Sequence, residues 1–286
     1  MRLPAFFTEY QGPVDAELRR LLPDSDDVVQ RAMAYTALAP SKRVRPVLTV
    51  LSAELCGGRA GDACAAAAAI ELVHASSLIL DDLPSMDDAP LRRGRAANHK
   101  EFGEAVAILA AFALLNLAFG TLSAGYKPPV ATELTRVLSA AVGTQGLVGG
   151  QALDLLATDR TIDFETLERI HRGKTGALFV AAATAGAVTA AARPEAIAPL
   201  AAFAKNLGLA FQIIDDLLDV EGDPSETGKT VREDARKTTF VSFSGVVGAR
   251  QLARELCDTA DRALQPFGQR ADRLRELSAF VAARSS

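Results

Sequence analysis

Two stretches of this 286-residue chain gather carboxylates where folding alone has little use for them. The first reads His74-Ala-Ser-Ser-Leu-Ile-Leu-Asp81-Asp82-Leu-Pro-Ser-Met-Asp87-Asp88, and the second Phe211-Gln212-Ile-Ile-Asp215-Asp216-Leu-Leu-Asp219. Asp215 and Asp219 are four apart, so a helix carries both on one face, where like charges repel. Acids near a helix C-terminus also oppose the macrodipole. Each cluster follows an apolar run, which puts it at the mouth of a core. A hard cation explains the arrangement: Mg²⁺ takes oxygen ligands and commonly uses one or two carboxylates plus substrate phosphates. Two facing acidic walls would hold several such ions together with a diphosphate.

Asp81 and Asp87 are six apart, which a straight helix would place on different faces. Pro84 forbids a straight helix, so the chain is expected to bulge and return Asp87 towards Asp81. An EF-hand is excluded, because neither cluster has alternating oxygen ligands, a central Gly and a terminal Glu. Cations follow both clusters: Arg92-Arg93-Gly94-Arg95 after the first, Lys229 and Arg236-Lys237 after the second. Lys42-Arg43-Val44-Arg45-Pro46 lies upstream and Lys174-Thr175-Gly176 between the halves. Arg forks onto phosphate oxygens and Lys acts as a point charge. Gly228-Lys229-Thr230 is not a Walker loop, since Gly222 is one residue too far away and no strand precedes it. The three histidines, His74, His99 and His171, form no Ser-His-Asp or His-Glu-x-x-His pattern. His74 lies nearly two turns before Asp81 and so near the same face.

The elements that position these groups are expected to be helices. Aromatics are 6% and Trp is absent, while Ala and Leu dominate, a composition that favours helix over strand. Breakers such as Pro40, Gly57-Gly58, Pro84, Pro128-Pro129, Pro194 and Pro266 divide the chain into about ten to twelve helices of ordinary length. No linker interrupts residues 1–286, which are expected to form one all-α domain. The net charge of -4 carries no basic excess for a nucleic acid. Cys56, Cys64 and Cys257 have no metal-type spacing and an odd count, which suits a reducing compartment. The N-terminus lacks the profile of a secretory signal, so the cytoplasm is expected. Residues 106–126 carry no charge; a fully buried central helix is expected there in preference to a membrane span.

Taken in order, KRVRP, ELVHASSLILDDLPSMDDAPLRRGR, GGQALDL, RIHRGKTGALF and GLAFQIIDDLLDVEGDPSETGK resemble the trans-isoprenyl diphosphate synthases of the bacterial farnesyl and geranylgeranyl type, across nearly the whole chain. The resemblance implies an all-α bundle, usually a homodimer, that joins isopentenyl diphosphate to an allylic diphosphate with three Mg²⁺ ions. It implies metal ligation by Asp81 and Asp87 with Asp82 supporting, and by Asp215 with Asp216 and Asp219 nearby. Lys42, Arg45, His74 and Arg93 match positions that bind isopentenyl diphosphate. Arg92, Lys174, Thr175, Gln212, Lys229 and Lys237 match those that grip the allylic diphosphate (dimethylallyl, geranyl or farnesyl). Asp81, Asp87, Arg92, Lys174, Asp215 and Lys229 are the expected catalytic set. The chain departs from the pattern at Pro40-Ser41, where relatives usually have two glycines, and at Leu80, often His. It also has Ala111-Phe112 for a common Gly-Asp, and two residues fewer between Asp234 and Lys237.

Product length is expected to depend on the apolar wall below the first cluster. Small Ser76 leaves room for growth past the farnesyl length, with Leu72, Val73, Phe112 and Phe119 as deeper stops. A C20 product, geranylgeranyl diphosphate, is expected, flanked by C15 and C25. A terpene cyclase would not need Lys42, Arg45 and Arg93 with a complete second motif, and a non-catalytic subunit would have lost one acidic cluster.

Overall fold

The computed structural model describes residues 5–221 and 237–283, and the expected all-α bundle is what it contains. The chain runs through α1 (Ala5–Leu21), α2 (Val28–Ala37), α3 (Val44–Leu55) and α4 (Ala60–Asp81). A hairpin of β1 (Leu91–Arg92) and β2 (Arg95–Ala96) precedes α5 (Asn98–Phe102), α6 (Glu104–Gly125), α7 (Pro128–Val142) and α8 (Leu147–Ala157). Then come α9 (Phe164–His171), a π-helical turn (Arg172–Gly176), α10 (Ala177–Thr189) and α11 (Pro194–Glu221). After residue 237 follow α12 (Phe240–Ala263), a 3-10 turn (Gln265–Ala271) and α13 (Asp272–Ala282).

Helix starts are set locally by side-chain caps. Asp27 accepts from the Gln30 N–H and Asp163 from the Thr166 N–H, while Thr239 and Ser242 form a reciprocal capping box ahead of α12. Each satisfies amides that a helix leaves unpaired. The packing centre is α4, with α1, α2, α3, α6, α7 and α10 around it. Its Ala63 and Ala66 to Ala69 are buried, and such small side chains let neighbouring helices approach closely. Phe7, Phe179, Phe203, Phe240, Leu48, Leu72 and Leu114 fill the rest of one continuous core.

The expectation for residues 106–126 is corrected. α6 is apolar all round but not buried all round: Ile108, Leu109 and Phe112 are 48%, 56% and 75% exposed. Its inner face, with Ala107, Ala110, Ala111 and Leu114, lies against the core. Phe112 therefore does not reach into the interior of this chain. It follows buried Ala111 by one residue, and one step on a helix turns the side chain by about 100°. Phe119 does pack against the core. By length and composition alone, α4, α6 and α11 could each cross a membrane.

Candidate active site

Helix α4 ends at the first acidic cluster, and Pro84 stops it from continuing. The Asp87 N–H donates to the Asp81 carbonyl at 2.9 Å, and the Met86 and Asp88 N–H groups both donate to the Leu83 carbonyl. The chain bulges as the spacing implied and brings Asp87 back beside Asp81. Burial pushes the Asp81 carboxyl up to about 6, against the pull of the Lys174 cation. Asp82 is different. It is 2% exposed and takes the Arg92 guanidinium, with Nε at 2.9 Å and the closer contact from Nη2. The carboxylate next to Asp81 thus faces inward and anchors an arginine.

That arginine sits on the β1–β2 hairpin, where Arg92 pairs with Arg95. The two residues between them, Arg93 and Gly94, have φ of 54° and 73°, as a tight two-residue hairpin turn requires. Helix α2 holds the hairpin: the Tyr35 hydroxyl donates to the Ala96 carbonyl at 2.9 Å, and the Arg95 guanidinium lies 3.9 Å over the Tyr35 ring. From this turn Arg92 reaches Asp82, while Arg93 is buried enough to lower its pKa and feels the charges of Glu71, Arg43, Arg92 and Asp82.

The second cluster lies on regular helix near the end of α11. Asp216 is 3% exposed. It accepts from Gln212 Nε2 at 2.9 Å and from the Phe240 N–H at 3.0 Å, an amide that the N-terminus of α12 would otherwise leave unpaired. Gln212 in turn accepts from the Thr175 hydroxyl at 2.8 Å. Asp215 and Asp219, on the other face, are only partly buried. Asp82 and Asp216, the second residues of the two Asp-Asp pairs, are therefore buried, while Asp81, Asp87, Asp215 and Asp219 are more accessible.

Thr175 and Lys174 belong to the π-helical turn, a geometry that often marks functional sites. Gly150 lets this turn pack on α8: a Cβ at Gly150 would lie 2.1 Å from the Lys174 nitrogen. From α8, Asp154 accepts from Lys174 Nζ at 2.7 Å and from Lys237 Nζ at 3.0 Å, and Lys237 also donates to Asp87 at 2.8 Å. Burial works against the Asp154 carboxylate, but the two ammonium groups outweigh it and hold its pKa below the usual range. Lys237, two residues short in spacing, nevertheless reaches the first cluster and ties the halves of the chain together. Asp154 was missed in sequence because a lone acid in an apolar helix reads as a surface residue; its signal was its place in GGQALDL. Lys229 lies outside the described residues.

A second cationic region forms where α3 begins. Arg45 Nη1 is 3.4 Å from His74 Nε2, and the guanidinium stacks 4.7 Å from the Phe179 ring centre and 5.9 Å from that of Phe211. Burial brings Arg45 down to about 10, and its buried Nε has no partner among the described residues. Burial, then Arg45 and Arg93, hold His74 well below its usual pKa, so it is neutral. Arg45, Arg93 and His74 thus converge on one place, with exposed Lys42 nearby in sequence, stacked 5.7 Å from the Phe280 ring centre. A desolvated guanidinium with an unfilled donor, as at Arg45, is suited to an anion such as a diphosphate. Asp215 acts electrostatically on Arg45, which puts this region beside the second wall.

Below the first cluster, Leu72, Val73 and Ser76 are all buried, at 0%, 2% and 4% exposure. The Ser76 hydroxyl donates to the Ala111 carbonyl at 2.7 Å, which locks α4 to α6 at that level.

Whether Mg²⁺ suits the acidic groups follows from their chemistry. The donors are hard oxygens, and among the described residues no three acids, histidines or cysteines converge tightly enough to hold a metal alone. Carboxylate oxygens are the ligands Mg²⁺ takes alongside water and substrate phosphate. The residues fit.

The polyprenyl synthetase family model matches residues 26–262. The chain is 43% identical to geranylgeranyl pyrophosphate synthase 11 of Arabidopsis thaliana, over 90% of this chain and 74% of the relative. It is also 43% identical to farnesyl diphosphate synthase of Escherichia coli, over 87% of this chain and 85% of the relative. The crystal structure of a Helicobacter pylori geranyltransferase complexed with magnesium and isoprenyl diphosphate superposes with a TM-score of 0.86 at 29% identity, covering 99% of this chain and 98% of that one. Two acidic helix ends, a lysine that ties the first of them to Asp154 and a separate cluster of arginines are thus set in a fold shared over the full length, and the chain belongs to the polyprenyl synthetase family.

Proposed function

We propose that this trans-prenyltransferase condenses isopentenyl diphosphate with an allylic diphosphate, releases diphosphate and yields chiefly the C20 product. The observation that carries the proposal is the division of the site into two regions. One combines carboxylates and lysines (Asp81, Asp87, Asp154, Lys174, Lys237), and the other holds cations and a neutral imidazole (Arg45, Arg93, His74). Three Mg²⁺ ions, held by Asp81, Asp87 and Asp215 with Asp219 beside them, would neutralise the leaving diphosphate. Asp82 and Asp216 act in support, by fixing Arg92 and Gln212.

Lys174, Lys237 and Arg92 draw negative charge onto the allylic diphosphate, with Lys229 assigned the same role from sequence. Thr175 and Gln212 orient it, and Arg45, Arg93, Lys42 and His74 seat isopentenyl diphosphate. Fixed charges of this kind stabilise a departing anion more than its ground state. The allylic carbocation forms away from water, the isopentenyl double bond attacks it, and the departed diphosphate takes the final proton. No His or Glu base is then needed, in keeping with a neutral, arginine-flanked His74. Small Ser76, with Leu72 and Val73 behind it, supports growth past C15.

We also propose a homodimer closed through the exposed face of α6, where Ile108, Leu109 and Phe112 form an uncharged apolar strip; such a strip is expected to be covered. The enzyme is placed in the cytoplasm, with no membrane span and no nucleic-acid partner. The test is product analysis of the pure protein with Mg²⁺ and each allylic starter, with and without isopentenyl diphosphate. Chain elongation to C20 that requires isopentenyl diphosphate is expected. Products formed from the allylic diphosphate alone would mark a terpene cyclase instead.

A further inference from the structure

The loop that carries Lys42 into α3 runs Pro40-Ser41-Lys42-Arg43 without a glycine, yet part of it is left-handed. Arg43 sits there with φ of 49°, a left-handed conformation that a non-glycine residue adopts only under constraint. Its side chain is 3% exposed and lies between two acids: Nε donates to Asp15 at 2.9 Å and Nη1 to Glu71 at 2.6 Å. The Ser41 hydroxyl also faces Glu71, at 3.4 Å. Glu71 lies on α4 three residues before His74, so one carboxylate links the loop to the helix of the imidazole. Asp15, however, comes from α1.

Helix α1 makes a second, independent contact with the same loop. Gln11 Nε2 donates to the Lys42 carbonyl at 2.8 Å and lies 3.4 Å from the Ser41 carbonyl. Gln11 and Asp15 are i and i+4 and share one face of α1. One therefore grips the main chain at Lys42 and the other the guanidinium of the next residue. Both act on the segment from which Lys42 and Arg45 project.

We infer that α1 is a positioning strap for the isopentenyl diphosphate subsite, with Gln11 and Asp15 as positioning residues that set Lys42 and Arg45 through the Arg43 turn. This rests on the assignment of that subsite above. Each contact fixes a turn that is strained without it, so its loss lets the two cations sample other positions.

Steady-state kinetics of the full chain with Mg²⁺ tests the strap, each substrate varied while the other saturates. Gln11→Leu and Asp15→Ala are each expected to raise the KM for isopentenyl diphosphate about tenfold, the equivalent of one net hydrogen bond. The allylic KM should change less than twofold, and Asp15→Glu, which keeps the charge, should restore most of the loss. Thermal melting is run alongside: a drop in Tm with both KM values unchanged, or both KM values rising together, overturns the inference. If the unsubstituted protein does not use isopentenyl diphosphate, the subsite assignment fails instead, and the two failures are distinguishable.

Discussion

The two acidic walls use the same division of labour with different materials. In each Asp-Asp pair the first residue stays near the mouth and the second turns inward. On the first wall the inward carboxylate, Asp82, takes the Arg92 guanidinium; on the second, the contacts of Asp216 include Gln212 and the Phe240 N–H. Removing Arg92 strands the buried charge of Asp82, whereas Asp216 without Gln212 still keeps the Phe240 N–H. The first wall is thus the more brittle, and it is also the one shaped by a bulge instead of a continuous helix. Rigidity at Arg92 comes at the risk of that brittleness.

The comparison can be broken most severely at the mouth. Asp81→Ala and Asp215→Ala should each lower kcat on the order of 10³-fold or more, since each removes several kcal/mol of charge stabilisation from the leaving group. Equal losses would mean both walls act on one diphosphate; a mild effect at Asp215 would assign catalysis to the first wall alone. Next in size is the inward pair. Arg92→Leu should cost about 3–5 kcal/mol of stability in urea titrations by stranding Asp82. Asp216→Asn, which keeps an acceptor for the Phe240 amide, should cost about 1–2 kcal/mol. Similar losses at the two positions would erase the proposed difference between the walls.

Smaller effects concern the lysine bridge between the first wall and α8. Asp154→Asn leaves Lys174 and Lys237 without their shared counter-charge, and the allylic KM should rise about tenfold while the KM for isopentenyl diphosphate holds. His171, tilted against Phe240 with ring centres 5.2 Å apart, supplies a pH effect. Burial, with Lys174 and Lys237 nearby, lowers its pKa to about 4. The unfolded chain binds this proton near pH 6.5 and the folded one does not. Its contribution is therefore full above pH 6.5 and falls away as pH drops towards 4. Replacement by Gln should flatten the Tm-against-pH curve across that window, leaving the slope above pH 7 unchanged.

Much of this was legible in the residues. The i, i+4 face at Asp215 and Asp219 follows from helix geometry alone, and the bulge that returns Asp87 follows from Pro84. The inward turn of Asp82 and Asp216 was also available, because successive residues on a helix point about 100° apart. Other features were not. α6 is apolar on every face, so no periodicity could say which side met the core, and Phe112 was expected inside when it lies outside. Asp154 is recruited by two lysines, one 20 residues away and one 83, and only the fold brings them together. The left-handed turn at Arg43 was hidden because that conformation usually falls to Gly or Asn, not to Arg.

The central claim is that both walls hold one metal-bound diphosphate. Calorimetric titration with an unreactive allylic thiodiphosphate tests it most directly, on the unsubstituted protein, Asp81→Ala and Asp215→Ala, with and without Mg²⁺. The account requires tight binding only with Mg²⁺, and a loss of about 100-fold in either variant, near 2.7 kcal/mol. Binding that ignores Mg²⁺, or that survives in one of the two variants, would contradict it.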